Sequence, residues 1–160
     1  MADNYNAGDD EKLEALCEQW QSALRLKDWD VEVQVVRIKD LGKGKHGDVF
    51  YDALHKDALV RLLDPRDEKA ADLRKPLDHE HTLVHELMHL HWAGLESSIK
   101  NDKLPELLME NGIKACSSLV VELLRAMKNA QATVAEHAVE STSAPKRRRT
   151  AAKQQPEDEA

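Results

Sequence analysis

A histidine-rich segment at residues 78–94 restricts the possible folds of this chain more than any other part of the sequence. It contains His85 and His89, and Glu86 directly follows the first of them. Residues four apart lie on the same face of an α-helix, so the two imidazoles can reach one metal ion. Glu86 lies on the same flank, close enough to contact a water molecule on that ion. The segment therefore predicts a helix that carries half of a zinc site and a candidate general base.

The residues around this motif favour the helical conformation that it needs. Asp78 is a suitable N-cap, Glu80 would lie in the positive first turn, and Gly94 can end the helix in a left-handed conformation. Apolar residues recur three or four apart on the side opposite the histidines, at Leu83, Leu87 and Leu90. One face of the helix is thus expected to pack on a core and the other to line a cleft. The alternative is a solvated histidine-rich helix that holds no metal.

Other histidines crowd the motif, but we expect them to have supporting roles. His81 shares the face of the pair, yet the helical rise places it about 12 Å from His89, too far for all three rings to bind one ion. His79 falls in the first turn, and His91 projects about 120° away from the pair. The predicted ligands from this helix are therefore His85 and His89.

Length, charge and cysteine content limit the class of protein. A chain of 160 residues is long enough for one domain with a core and too short for two sizeable ones. Thirty acidic residues against 23 basic ones give a net charge of -7, which argues against a protein that coats DNA. Cys17 and Cys116 form no disulfide framework, which suits a reducing compartment. Without a long apolar run or a secretory signal, we expect a cytoplasmic protein with no membrane partner.

Periodicity along the chain predicts an α+β domain at residues 10–130, between a disordered N-terminus at 1–9 and a disordered tail at 131–160. The predicted elements are a helix at 10–27, strands at 29–35, 49–53 and 58–63, a short helical turn at 67–74, the motif helix and a long helix at 105–129. The strands are expected to form an antiparallel meander. Arg61, alone among apolar residues, suggests an edge position for the third strand. Val36 and Ile38 break the phase of the first strand, which suggests a bulge.

The long helix shows an apolar side that predicts lengthwise packing on the core. Its members are Met109, Ile113, Cys116, Val120, Leu123 and Met127. The tail beyond it carries a basic cluster of Lys146, Arg147, Arg148 and Arg149. Such a cluster is compatible with a nuclear import signal, with phosphate contacts to a nucleic acid, or with a solvated tail.

A catalytic Zn²⁺ usually has three protein ligands and an open position for water, so a third ligand is expected after the motif helix. The candidates are Glu96, Glu106, Glu110 and Glu122. Glu96 falls just past the motif helix, whereas Glu122 is predicted on the polar side of the long helix. Glu106 and Glu110 lie one turn apart at the border of its apolar side, where a residue can face a cleft between two packed helices. The sequence pattern leaves these two open.

Three stretches in this order resemble a known family. The motif helix at residues 82–92, a preceding tryptophan-bearing strand at 28–33 and a following segment at 110–115 are similar to small phage-encoded metallopeptidases. These in turn resemble minimal zincins of the SprT-like and ImmA-like kind. The resemblance covers roughly residues 20–124, and the histidine helix is its most specific motif.

The resemblance implies a minimal zincin-like domain: a short sheet, an active-site helix beneath it, and a second helix that supplies a carboxylate as in gluzincins. It implies His85, His89 and Glu110 as metal ligands and Glu86 as the catalytic base, with Glu106 as the alternative ligand. Lys114 departs from the pattern, because many gluzincins have an acidic residue four after the ligand glutamate.

The activity that follows is zinc-dependent hydrolysis of a protein or peptide substrate, which would align beside the strand at 58–63. A phage-encoded protein would act in the host cytoplasm, and the basic cluster would allow a nuclear location in a eukaryote. Two alternatives stay open: a non-catalytic zinc protein with a binding or regulatory role, and a nucleic-acid-associated protein that uses the basic tail.

Overall fold

A computed structural model describes residues 10–96 and 103–142, and within these the side chains of 11–95 and 103–133. The described residues form an α+β fold of four helices and a three-stranded mixed sheet. In chain order the elements are α1 (Asp10–Ala23), β1 (Asp30–Val36), α2 (Ile38–Leu41), β2 (Gly47–Asp52), β3 (Asp57–Leu63), a 3-10 turn (Pro65–Asp67), α3 (His79–Glu96) and α4 (Lys103–Thr142). The chain divides into two compact units, Met1–Leu124 and Arg125–Ala160. Of the second unit, the structure describes only the continuation of α4.

The sheet is mixed, with strand order β1-β3-β2, so the predicted antiparallel meander is wrong. Strands β2 and β3 pair antiparallel, whereas β1 pairs parallel with β3. Parallel pairing needs a connection of a dozen or more residues, and residues 37–56, which contain α2 and β2, provide it. Strand β3 is therefore central, and the predicted edge position of Arg61 is also wrong. Arg61 is accommodated because its guanidinium donates two hydrogen bonds of 2.8 Å to the Asp48 carboxylate on β2.

Several element boundaries differ from their predicted positions. Helix α2 begins at Ile38 where a bulge was expected, and this accounts for the break in the strand pattern. Helix α1 ends at Ala23, and the 3-10 turn at Pro65–Asp67 replaces the helical turn expected at 67–74. Helix α3 continues through Gly94 to Glu96, so the predicted termination at this glycine is wrong.

Helix α4 extends well past its predicted end at residue 129 and reaches Thr142. Its buried positions are Ile113, Ser117 and Val121, four apart, whereas Leu123 is 56% exposed. The buried face of the helix is thus rotated from the predicted one and includes Ser117. This polar residue can be buried because its hydroxyl donates a hydrogen bond of 3.2 Å to the Lys114 carbonyl oxygen. No helix in the described part of the chain combines the length and apolarity needed to cross a bilayer. The N-terminal residues 1–9 and the basic cluster at 146–149 lie outside the described residues.

The main core lies between one face of the sheet and the helices. Alternate strand residues point into it, as the period of a half-buried strand requires. Its members include Val31, Val33, Ala58, Val60 and Leu62 from the sheet, Leu13, Cys17 and Trp20 from α1, Leu83, Val84, Leu87 and Leu90 from α3, and Val121 from α4. The predicted apolar face of the motif helix is thereby confirmed, since its three leucines are all buried.

A smaller core covers one end of the opposite sheet face. There, residues of α2 and of the segment after β3 pack on the ends of β1 and β3, with Leu41, Leu63 and Ala71 fully buried. An ion pair closes this region: the Arg37 guanidinium donates hydrogen bonds of 2.6 and 2.7 Å to the Asp67 carboxylate.

Gly47 permits the close approach of α3 to β2. A Cβ atom at this position would lie 2.7 Å from Thr82 Cγ2 on α3 and 2.8 Å from the Arg61 carbonyl oxygen on β3. Both distances are shorter than real Cβ contacts allow, so only glycine fits without displacement of the helix. This contact sets the distance of the motif helix from the sheet.

Candidate metal centre

His85 and His89 lie one turn apart on α3 and direct their ring nitrogens at a common point. Their Nε2 atoms are 3.4 Å apart, and the rings meet edge to face with centroids 5.0 Å apart. The two side chains are 14% and 16% exposed. The pair is therefore mostly enclosed, and each side chain keeps a small exposed fraction.

Glu110 on α4 completes the group. Its Oε1 atom lies 3.4 Å from His85 Nε2, and its Oε2 atom lies 3.5 Å from His89 Nε2. Among the described residues, these three are the only set of at least three histidine, cysteine or acidic side chains whose ligand atoms all lie within 4.8 Å of one another. Glu106 and Glu122 are exposed and belong to no such set, and the side chain of Glu96 is outside the described residues.

The separations of these donor atoms fit a tetrahedral ion. Zinc binds imidazole nitrogen and carboxylate oxygen at about 2.0–2.1 Å, so two of its tetrahedral ligands are about 3.3–3.4 Å apart. The two imidazole nitrogens are 3.4 Å apart, which matches that edge length, and each lies 3.4 or 3.5 Å from one of the two Glu110 oxygens. Two imidazoles and one carboxylate are also a donor set that zinc accepts. Residues 85, 89 and 110 could therefore hold a zinc ion with a fourth position left for a small molecule.

The Glu110 carboxylate is held in its ionised form. Its pKa is lowered to about 2, chiefly by the hydrogen bond with His85 and also by Lys114, whose Nζ lies 3.0 Å from Oε1. This acid is therefore charged at neutral pH, as a metal ligand must be. Lys114 stands one turn after Glu110 and neutralises the carboxylate in the absence of a cation.

Glu86 is buried beside the group but is not part of it. The residue is only 6% exposed, and this burial raises the pKa of its carboxyl group to about 7. The charges of His85 and His89 act in the opposite direction and lower this pKa. The charges of Glu110 and Asp48 add to the increase. A carboxyl group with a pKa near neutrality can both accept and release a proton at physiological pH.

Two other histidines of α3 fix the position of the helix, a role that the sequence did not specify. His81 Nε2 lies 2.9 Å from Ser118 Oγ on α4, and His79 Nε2 lies 2.7 Å from the Leu63 carbonyl oxygen at the end of β3. The only sequence signal for the first contact is that His81 precedes His85 by one turn on the same face. These contacts hold the motif helix against α4 on one side and the sheet on the other.

No protein-family model matches this chain, and neither does any curated protein or any solved structure. The assignment of the site therefore depends on its own geometry and chemistry.

Proposed function

We propose that this protein is a zinc-dependent peptidase of the minimal zincin kind. The observation that carries the proposal is the convergence of His85, His89 and Glu110, whose ligand atoms all lie within 4.8 Å of one another, with the two imidazole nitrogens 3.4 Å apart. The buried Glu86 lies next to these ligands on the same helix. Two imidazoles, a carboxylate ligand and an adjacent second carboxyl group are the parts that metal-assisted hydrolysis of an amide requires.

Zinc bound here would polarise the scissile carbonyl and lower the pKa of a water molecule towards about 7. Glu86 accepts a proton from the attacking water while the water oxygen bonds to the carbonyl carbon. The same carboxyl group then donates that proton to the leaving amine as the carbon–nitrogen bond breaks. The products are an amine and a carboxylic acid, which keeps the second proton of the water, and Glu86 returns to its starting form.

The edge strand β2 is the better candidate for binding an extended substrate. The expected alignment beside residues 58–63 is not available, because β3 is hydrogen-bonded to β1 and β2 on its two sides. Strand β2 is at an edge of the sheet, packs against α3 at Gly47, and carries Asp48, whose charge acts on Glu86. Main-chain pairing with such an edge would bind peptides with little dependence on their sequence.

A non-catalytic zinc site is the competing proposal, because the ligands come from α3 and α4 and zinc would join these two helices. Two features favour catalysis. Structural zinc sites usually have four protein ligands, whereas this group offers three. The Glu110 side chain is also 31% exposed, which leaves room for water and substrate to approach.

Substitutions at four positions test the proposal. Glu86→Gln should keep stoichiometric zinc and lose cleavage of an unfolded protein substrate, whereas His85→Ala and Glu110→Gln should lose zinc. Glu106→Gln is the matched control, since this exposed residue lies one turn from Glu110, and it should change neither property. Zinc is measured by elemental mass spectrometry and cleavage by chromatography of the products. Hydrolysis that survives in Glu86→Gln, or a zinc-loaded wild type that cleaves nothing, would reject the peptidase assignment.

A further inference from the structure

The outer face of the sheet, which points away from α1 and α3, is only half covered. The small core around Leu41, Leu63 and Ala71 covers one end. The other end is lined by residues of the three strands themselves, and Phe50 there is 55% exposed. We call this region the open end of the sheet. It consists of Asp30 and Glu32 on β1, Asp57 and Leu59 on β3, and Phe50 and Asp52 on β2, and these residues line one cleft.

Three aspartates form a row across the open end. Asp57 on the central strand is paired in register with Asp30 on one side and with Asp52 on the other. Strands lie about 4.8 Å apart, and like charges directly opposite each other destabilise a sheet. Only part of this repulsion is relieved internally. His55 contacts Asp52 at 2.8 Å and also interacts with the charge of Asp57, but the described residues contain no salt bridge within 4.0 Å to Asp30 or Asp57.

The neighbouring row adds an apolar surface to this charge. Leu59 is paired in register with Glu32 on β1 and with Phe50 on β2. Phe50 already interacts with a cation, because the Arg61 guanidinium lies 4.6 Å from the centre of its ring. The open end thus combines acidic side chains with an exposed aromatic ring that an apolar side chain can cover.

The charge of this surface excludes most classes of ligand. Nucleic acids and anionic membranes would be repelled, and so would the same face of a second copy. The open end is also not a metal site, since in the described part of the chain only the His85, His89 and Glu110 group brings three ligand atoms within 4.8 Å of one another. A ligand that matches the surface must be cationic, extended over two rows of residues and partly apolar.

We propose that the open end of the sheet docks a basic peptide segment of a partner protein, in which lysine or arginine residues flank an aliphatic or aromatic one. The basic side chains would contact the aspartate row and relieve its repulsion. The apolar side chain would cover Phe50 and Leu59. This docking surface is on the face of the sheet opposite the main core, in which α3 packs. It does not depend on peptidase activity.

The test uses the full chain and a blocked peptide that alternates lysine and leucine, with binding measured by calorimetry and located by amide NMR shifts. Binding should weaken as salt is raised, and a peptide with glutamate in place of lysine should not bind. The double variant Asp30→Asn/Asp57→Asn should bind about fivefold more weakly. The same variant should unfold at a temperature about 1–4 °C higher, because a repulsion in the folded state is removed. Phe50→Ala should also weaken binding, although it changes no charge.

The control is Glu11→Gln/Glu14→Gln, which removes the same charge from exposed positions on α1. It should bind the peptide within about twofold of the wild type, since exposed charges away from the contact add little. Equal weakening in both double variants would show that only net charge matters and would overturn the docking surface. So would peptide-induced NMR shifts that avoid β1, β2 and β3, or wild-type binding that survives in Phe50→Ala and Asp30→Asn/Asp57→Asn.

Discussion

Lys114 Nζ lies 3.0 Å from Glu110 Oε1. The proposed third metal ligand is therefore ion-paired with an ammonium group before any metal binds. Zinc must displace or repel this ammonium group to bind the carboxylate. We therefore expect Lys114→Met to raise zinc affinity by about 1.5- to 5-fold, because an exposed charge interaction is worth about 0.2–1 kcal/mol. Competition with a chromophoric chelator measures the affinity. Lys103→Met, an exposed change near the start of the same helix, should leave it unchanged, and an equal increase there would contradict the explanation.

The buried Glu86 should make the stability of the metal-free protein depend on pH. Because its pKa is raised to about 7, its stabilising contribution is complete below the unfolded value near 4.5 and is lost as pH rises through 7. With a chelator present, the free energy of unfolding should fall by up to about 3 kcal/mol between pH 5 and pH 8. Glu86→Gln should abolish this loss, whereas Glu106→Gln should retain it. Denaturant titrations at the two pH values decide between these outcomes.

The Asp67 carboxylate should make the protein less stable at acid pH, which is opposite to the effect of Glu86. Hydrogen bonds from Arg37, and then from the Ile38 amide at 2.9 Å, lower its pKa to about 2. Its contribution to stability is therefore complete above the unfolded pKa of about 3.9 and is lost as pH falls from there through 2. Arg37→Gln should weaken the loss of stability over this interval. Arg74→Gln, at an exposed arginine, should follow the wild-type curve when unfolding is monitored by circular dichroism.

Substitution of Gly47 should disturb the proposed metal centre from a distance. The added methyl group of Gly47→Ala would meet Thr82 and the Arg61 carbonyl oxygen, so α3 must move or the strands must separate. We expect a loss of about 1–3 kcal/mol in unfolding free energy and weaker zinc binding. Gly112→Ala is the matched control, because nothing lies within 4 Å of its added atom, and it should stabilise α4 slightly. Unchanged stability in Gly47→Ala would show that the close contact is easily relaxed.

Local patterns predicted the motif helix well because its information lies within a few turns of sequence. The four-residue spacing of His85 and His89 and the leucines on the opposite face need only the helical period to be interpreted. The strands were located within a few residues for the same reason. The end of α3 was not, since Gly94 lies in open space and can continue a helix as well as end one.

The order and direction of the strands were not predictable from local patterns. Whether β1 pairs with β2 or β3 depends on where the chain between them packs, and Arg61 gave a misleading signal because its partner Asp48 lies on another strand. The choice between Glu106 and Glu110 could not be made from local patterns for the same reason. Both lie on the border of α4, and only the rotation of that helix, with Ser117 rather than Cys116 buried, brings Glu110 to the histidines.

The donors of the proposed metal centre come from two successive helices, α3 and α4, and this has a consequence for biosynthesis. When α3 has left the ribosome but α4 has not, the nascent chain offers only the two imidazoles of His85 and His89. Two neutral ligands retain zinc far less well than three with a carboxylate among them. Metal acquisition should therefore be a late step, completed only after synthesis has passed Glu110 and the second helix has docked.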